Sequence, residues 1–170
     1  MKKLSSFVQT VFKGRNSQAG FTLLEILLVV AAIAILAGIV IVALNPNKQL
    51  GDTRNAERRS EVNAILNAIS QYRLDNGGNL PTGIDAITTS SQVLGTASIG
   101  CNTTCTAATT LAACVDISGS IVPNYVVGIP ADPTSGTAAN TDYYVNTTSG
   151  GRIIVGACDP EQSATIEISR

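Results

Sequence analysis

Three groups of residues in this 170-residue chain have the types and spacing to do chemistry. The first is Gly20-Phe21-Thr22-Leu23-Leu24-Glu25, where one carboxylate sits near the start of an otherwise apolar run that reaches Leu44. A carboxylate inside hydrocarbon costs roughly 2.5 to 3.5 kcal/mol on insertion scales, so it persists where a positive partner or a functional pathway receives it. The second is Cys101, Cys105, Cys114 and Cys158. The third is Asp132 and Asp142, which flank a Thr/Ser/Gly/Asn-rich loop whose oxygens would suit calcium. Asp-Pro and Asn/Thr clusters are more often plain turn formers, so no metal is assigned to this pair. There is no histidine, which removes Ser-His and Cys-His relays, and no Gly-rich phosphate loop follows a strand. The chain therefore reads as no enzyme, with no cofactor and no small-molecule substrate.

Residues 1–20 carry Lys2, Lys3, Lys13 and Arg15 and no acidic residue. Positive charge beside a hydrophobic span holds that flank in the cytoplasm, so the remainder crosses outward. An ordinary secretory signal has its apolar core before the cleavage site and loses it on cutting. Here the order is reversed. Cutting between Gly20 and Phe21 removes only the basic piece and leaves an apolar helix with a free amine on Phe21, four residues from Glu25.

This arrangement resembles the prepilin leader of the type IV pilin and type II secretion pseudopilin superfamily. The likeness rests on Gly20, Phe21, Thr22, Leu23 and Glu25, the basic leader and the long apolar run. It implies a membrane-embedded prepilin peptidase that cuts after Gly20 and methylates the Phe21 amine. It also implies a fold: α+β and pilin-like, a long N-terminal helix packed on a small C-terminal antiparallel sheet with disulfides. A leader of 20 residues is longer than the few-residue leaders of many members that begin with phenylalanine. In a helical stack, Glu25 of one chain would meet the Phe21 ammonium of its neighbour, and at low dielectric an unpaired member of such a pair is costly.

The elements that must position these groups follow from periodicity. The resemblance implies that residues 1–20 are the cleaved leader and 21–45 a membrane and filament-core helix. Residues 46–76 continue it as an amphipathic helix, and 77–170 form a β-rich head. The 24 residues from Phe21 to Leu44 would span roughly 36 Å, enough for a bilayer core. Pro46 removes a backbone donor and Gly38 weakens the helix before it, and the resemblance implies that residues 38–46 melt in pilus filaments. Beyond Gly51, the residues Val62, Ile65, Leu66, Ile69 and Tyr72 form one apolar stripe. Arg54, Glu57, Arg58 and Glu61 are assigned to the opposite, solvated face, with weak Arg54/Glu57 and Arg58/Glu61 pairs. Asn76-Gly77-Gly78, with Pro81 shortly after, marks the helix end.

In the head, residues 82–110 give weak signals and are expected to be a linker. Ile84, Ile87, Val93, Leu94 and Ile99 are available there to cover the helix. Tyr143 to Thr147, Arg152 to Cys158 and Ala164 to Ser169 read as strands, with Ser149-Gly150-Gly151 as a hairpin turn. Gly128-Ile129-Pro130-Ala131-Asp132-Pro133, followed by Asp142-Tyr143-Tyr144-Val145 and Gly151-Arg152-Ile153, resembles the C-terminal region of major pilins and pseudopilins. Major pseudopilins bind calcium through a loop near their last strands, and Asp132 and Asp142 are the positions to test. Disulfides persist outside the cell, and three pairings of four cysteines exist. The favoured pairing is Cys101 with Cys105 as a tight local loop and Cys114 with Cys158. The spacings lack Cys-x2-Cys pairs, which argues against zinc.

Removing the four leader cations leaves seven Lys and Arg against twelve Asp and Glu, a side-chain charge of −5. That argues against nucleic acid as the main ligand. The expected function is the major structural subunit of a type IV pilus, polymerised through its N-terminal helix. The alternatives are the major pseudopilin of a type II secretion system and, from another class, a membrane-anchored binding domain that never polymerises. The resemblance implies as partners further copies of the chain, the prepilin peptidase, an assembly ATPase and an inner-membrane platform protein. The precursor would sit in the cytoplasmic membrane, leader inside and head outside. The product would be an extracellular pilus, or a periplasmic filament for a pseudopilin.

Overall fold

Between Thr22 and Asn45 no residue breaks a helix except the single Gly38, and the run forms one helix, α1 (Leu23–Leu44). The computed structural model describes residues 20–86 and 89–170, so leader residues 1–19 and Ile87 lie outside the described residues. The chain divides into two units, residues 1–44 and 45–170. In the first, no residue of α1 is buried. Its length and composition suffice to cross a membrane.

The second unit begins with a backbone device. Asn45 adopts a left-handed conformation, φ 41°, and its side chain accepts a hydrogen bond from Lys48 N–H at 3.3 Å, so it caps α2 (Pro46–Asp75). Pro46 then occupies the first helical position, where its missing N–H costs nothing. The helix expected as one piece from Phe21 to near Asn76 is thus two, because Asn45-Pro46 both stops one and starts the next. At the far end Gly77 takes φ 65° and Gly78 N–H donates to Arg73 O at 2.7 Å, the left-handed stop the Asn-Gly-Gly signal predicts.

The sheet runs β1 (Gln92–Val93), β2 (Tyr143–Thr147), β3 (Ile153–Ala157) and β4 (Glu167–Ser169), in that order and antiparallel throughout. β2 occupies the span its residue pattern predicts, β3 and β4 are shorter than expected, and β1 falls inside the expected linker. A short α3 (Ser118–Ile121) and a 3₁₀ turn (Glu161–Ser163) complete the elements used below. Alternation along β2 and β3 sends Tyr143, Val145, Ile153, Val155 and Ala157 to one face, where they pack on Val62, Ile65, Leu66, Ala68 and Ile69 of α2. Burial of this two-layer core is the main cohesive term of the head.

The other face carries a second core of Val93, Cys101, Tyr144 and Cys158. Tyr144 lies opposite Gly156, and its ring fills the space a side chain there would need. The disulfides belong to this layer and correct the expected pairing: Cys101 joins Cys114 and Cys105 joins Cys158. Residues 97–114 double back on themselves, with Cys101 N–H donating to Ala112 O at 3.0 Å and Cys114 N–H to Ala97 O at 2.9 Å. That brings Cys101 and Cys114 to a Cα separation of 5.5 Å. Ala107 N–H reaches Cys158 O at 3.0 Å, which sets Cys105 beside the end of β3. The tight Cys101–Cys105 loop therefore does not form.

The Cys105–Cys158 bridge closes 53 residues and Cys101–Cys114 closes 13. Loop entropy gives about 4 and about 3 kcal/mol respectively. The double variant Cys105→Ser/Cys158→Ser is expected to lose about 1 kcal/mol more in denaturant unfolding than Cys101→Ser/Cys114→Ser. Equal losses would show that loop closure is not what these bridges contribute.

Candidate functional site

The residues expected to direct processing and assembly, Gly20, Phe21 and Glu25, lie at the start of α1. Thr22 caps the helix: its Oγ1 accepts from Glu25 N–H at 3.2 Å and its carbonyl from Ile26 N–H at 3.2 Å. Glu25 is therefore the third residue of the helix, and Thr22-x-x-Glu25 is the spacing of a capping box, a signal in the sequence that the reading of Glu25 as a pure docking charge passed over. A carboxylate there also opposes the positive end of the helix dipole. Phe21 is 78 % exposed, and Gly20 is exposed with open space around its backbone. Large apolar side chains, including Ile26, Leu27, Val30, Ile33 and Val40, are exposed on every side of α1. A helix apolar all round is stable only when surrounded, by lipid or by other helices. Gly38 sits inside α1 with helical geometry.

The other concentration of charge is in the head, and it corrects the reading of α2. Arg58 is fully buried. Its guanidinium donates to Asp132 Oδ2 at 2.5 Å and Oδ1 at 2.9 Å, to Thr134 Oγ1 at 2.9 Å, to Asn55 Oδ1 at 3.0 Å and to Glu161 Oε1 at 3.3 Å. Arg54 pairs with Glu161, not with Glu57, and Glu61 accepts from the Tyr143 hydroxyl rather than meeting Arg58. The signal was present: Gly51, Asn55 and Arg58 continue the stripe of Val62, Ile65 and Ile69 at the same three- and four-residue steps, and all are buried.

Burial alone would push the Asp132 carboxyl up, but hydrogen bonds from Arg58 and Thr134 and the guanidinium charge overcome it and hold it at about 2. The hydrogen bond from Arg54 lowers Glu161. Burial raises Glu61 against the opposing Tyr143 hydrogen bond, and burial first, then the charges of Asp159 and Asp132, raise Asp142. Asp142 is buried, and its Oδ1 has no hydrogen-bond partner among the described residues.

Asp132 and Asp142 therefore do not fit the calcium site that the resemblance suggests. Both oxygens of Asp132 are committed to a fixed positive charge. Among the described residues no three Cys, Asp or Glu side chains stand close enough to share an ion. Calcium takes six to eight oxygens, and a neighbouring guanidinium repels it.

Comparison with known proteins agrees with the N-terminal geometry. Residues 15–41 match the family model described as the prokaryotic N-terminal methylation motif. The chain is 40 % identical over 76 residues to the type II secretion system core protein G of Aeromonas hydrophila, covering 43 % of this chain and 51 % of that protein. It is 41 % identical over 64 residues to the protein of that name in Escherichia coli strain K12, covering 38 % and 43 %. To the Vibrio cholerae protein it is 38 % identical over 79 residues, covering 45 % and 53 %. The chain thus spans about half the length of the curated relatives it matches. No solved structure matches it.

Acid titration tests the head cluster. Asp132 and Glu161, lowered in the folded state, stabilise it above their unfolded values, and that stability is lost as pH falls through the folded ones. Glu61 and Asp142, raised in the folded state, have the opposite sign and favour folding as pH falls toward their unfolded values. The melting temperature is therefore expected to hold level or rise slightly from neutral pH to about 4.5, then fall between 3.8 and about 2. Asp132→Asn leaves the buried guanidinium with only its longer 3.3 Å contact to the Glu161 carboxylate, itself shared with Arg54, and should cost about 3 kcal/mol at neutral pH. A fall beginning near pH 6, or a variant as stable as the parent, would contradict this.

Proposed function

We propose that this chain is a structural subunit of the superfamily of type IV pilins and type II secretion pseudopilins that polymerises through α1, as the major pseudopilin of a type II secretion system; the methylation-motif match over residues 15–41 and the likeness to core protein G support the reading. The observation that carries polymerisation is an apolar helix with no buried residue, carrying Glu25 in its first turn and preceded by the Gly20-Phe21 pair of the methylation-motif match. The printed names of the relatives favour the secretion reading over the surface pilus. The long pilus remains the second reading because the calcium loop that major pseudopilins use does not fit the Arg58–Asp132 geometry here.

In this account the precursor is held in the cytoplasmic membrane by α1, with residues 1–20 inside. A prepilin peptidase cuts after Gly20 and methylates the new amine of Phe21. Cleavage turns Glu25 from a cost into a docking element, because an ammonium now stands on each neighbour to receive it. An assembly ATPase and an inner-membrane platform protein extract the mature chain into a helical homopolymer. Residues 38–46, ended by the Asn45 cap and Pro46, are where the helix yields when the filament is pulled, since two helix-weakening residues bracket them.

Glu25→Ala is expected to be cleaved normally but to enter sheared filaments about a hundredfold less efficiently, the equivalent of stranding one buried charge. Gly20→Leu is expected to remain at precursor length on gels, because the peptidase needs close access to the backbone. Normal filaments from the first variant, or a mature-length product from the second, would refute the respective step. Electron microscopy of cells expressing tagged protein separates the readings. Short fibres only on overexpression indicate the pseudopilin, long surface fibres the pilus, and no fibres under either condition a non-polymerising anchor.

A further inference from the structure

At the C-terminal end of α2, Ser70, Arg73, Leu74, Gly77, Gly78 and Arg170 line an open cavity of about 380 Å³. Arg73 donates to Gly78 O at 3.4 Å and to Gly151 O at 3.2 Å, and Arg170 donates to Asn67 Oδ1 at 2.8 Å. These bonds use only part of what two guanidiniums can donate. Neither arginine has a carboxylate partner among the described residues. Asp75, which is close in sequence, instead accepts from the Tyr125 hydroxyl at 2.9 Å. One wall is apolar, because Leu74 is 81 % exposed, and a side chain built on Gly77 or Gly78 would meet nothing, so the mouth is clear. Two unpaired guanidiniums beside an apolar wall suit a carboxylate carried on an aliphatic stem.

Such a group stands elsewhere on α2. Glu57 is exposed and makes no hydrogen bond or ion pair among the described residues. Glu61, one turn on, has the same charge, and burial first and then Glu57 raise its carboxyl against the Tyr143 hydrogen bond. A like-charged pair at this spacing is destabilising, and a cation brought to it relieves the repulsion. By ordinary helix rise and twist, Glu57 lies about 24 Å along α2 from Arg73 and about 160° around it. It therefore cannot reach the cavity of its own chain. Asp52 is also exposed, but it lies only about 60° around α2 from Arg73, on the cavity's own side. Complementary groups on opposite sides of a molecule join copies head to tail, the arrangement that an open filament requires.

We propose that the cavity between Arg73 and Arg170 is a docking site for a second copy of the chain, and that its occupant is the Glu57 carboxylate of the neighbouring subunit. This rests on the reading of the chain as a filament subunit and adds to α1 a contact between heads. The pair forms only between copies, so it contributes to the filament and not to the fold of one head.

Charge reversal tests it, read as the yield of sheared filaments, with thermal melts of the same proteins in detergent as the control for folding. Arg73→Glu/Arg170→Glu is expected to lower filament yield about tenfold, because like charges then face each other across the contact. Adding Glu57→Arg to that variant is expected to return the yield to within about twofold of the parent. Within one chain the two positions are too far apart to pair, so such a rescue acts between copies. Arg73 also holds the Gly78 and Gly151 carbonyls, and if its reversal prevents accumulation, Arg170→Glu with and without Glu57→Arg makes the same comparison. Normal yield from the reversed variants, or a loss that Glu57→Arg does not rescue, would overturn the docking site and leave the filament reading standing. A parent that forms no filaments would overturn both.

Discussion

The structure depends on a mismatch: α1 is apolar on every side, and among the described residues none of its side chains is buried. Lipid satisfies its side chains but not Glu25, whereas neighbouring helices of the same kind can satisfy both once a terminal ammonium exists. Under the proposed function, proteolysis after Gly20 would act as a thermodynamic switch rather than simple trimming. It would leave the helix unchanged and alter only what stands near its first turn. Thr22 capping Glu25 N–H adds a second constraint, because it fixes the height at which the carboxylate is presented along the helix.

The head solves a different problem, that of making a small domain cohere. Helix α2 supplies one apolar stripe, the four-stranded sheet supplies a facing layer, and the two disulfides tie a second core to the sheet's other side. A buried ion pair rarely adds net stability over a packed apolar contact, but breaking one is expensive. Arg58 therefore contributes specificity. It accepts only the arrangement in which the Asp132 turn and the Glu161 turn both reach α2, and so fixes two loops that have little apolar burial of their own.

Features that depend on local sequence were legible from it. The helix, the Asn-Gly-Gly stop after Asp75 and the β-branched run of β2 were each visible because neighbours along the chain determine them. What was not legible depends on distant partners. Arg58 reads as a surface charge until Asp132 and Glu161 are brought to it, although its place on the apolar stripe pointed inward. The cysteines pair as they do because residues 97–114 fold back, a fact set by hydrogen bonds to Ala97 and Ala112 rather than by cysteine spacing. Gln92–Val93 is a strand only because the edge of β2 is there to receive it. Asp132 and Asp142 looked alike as loop carboxylates, and only the guanidinium distinguishes them.

The most direct test of the account is a filament structure by electron cryomicroscopy of sheared fibres, read at the first turn of α1. The account predicts the Glu25 carboxylate within about 4 Å of the Phe21 nitrogen of an adjacent subunit, the range of an ion pair. Fibres in which the two groups stand apart, each facing apolar side chains, would contradict it.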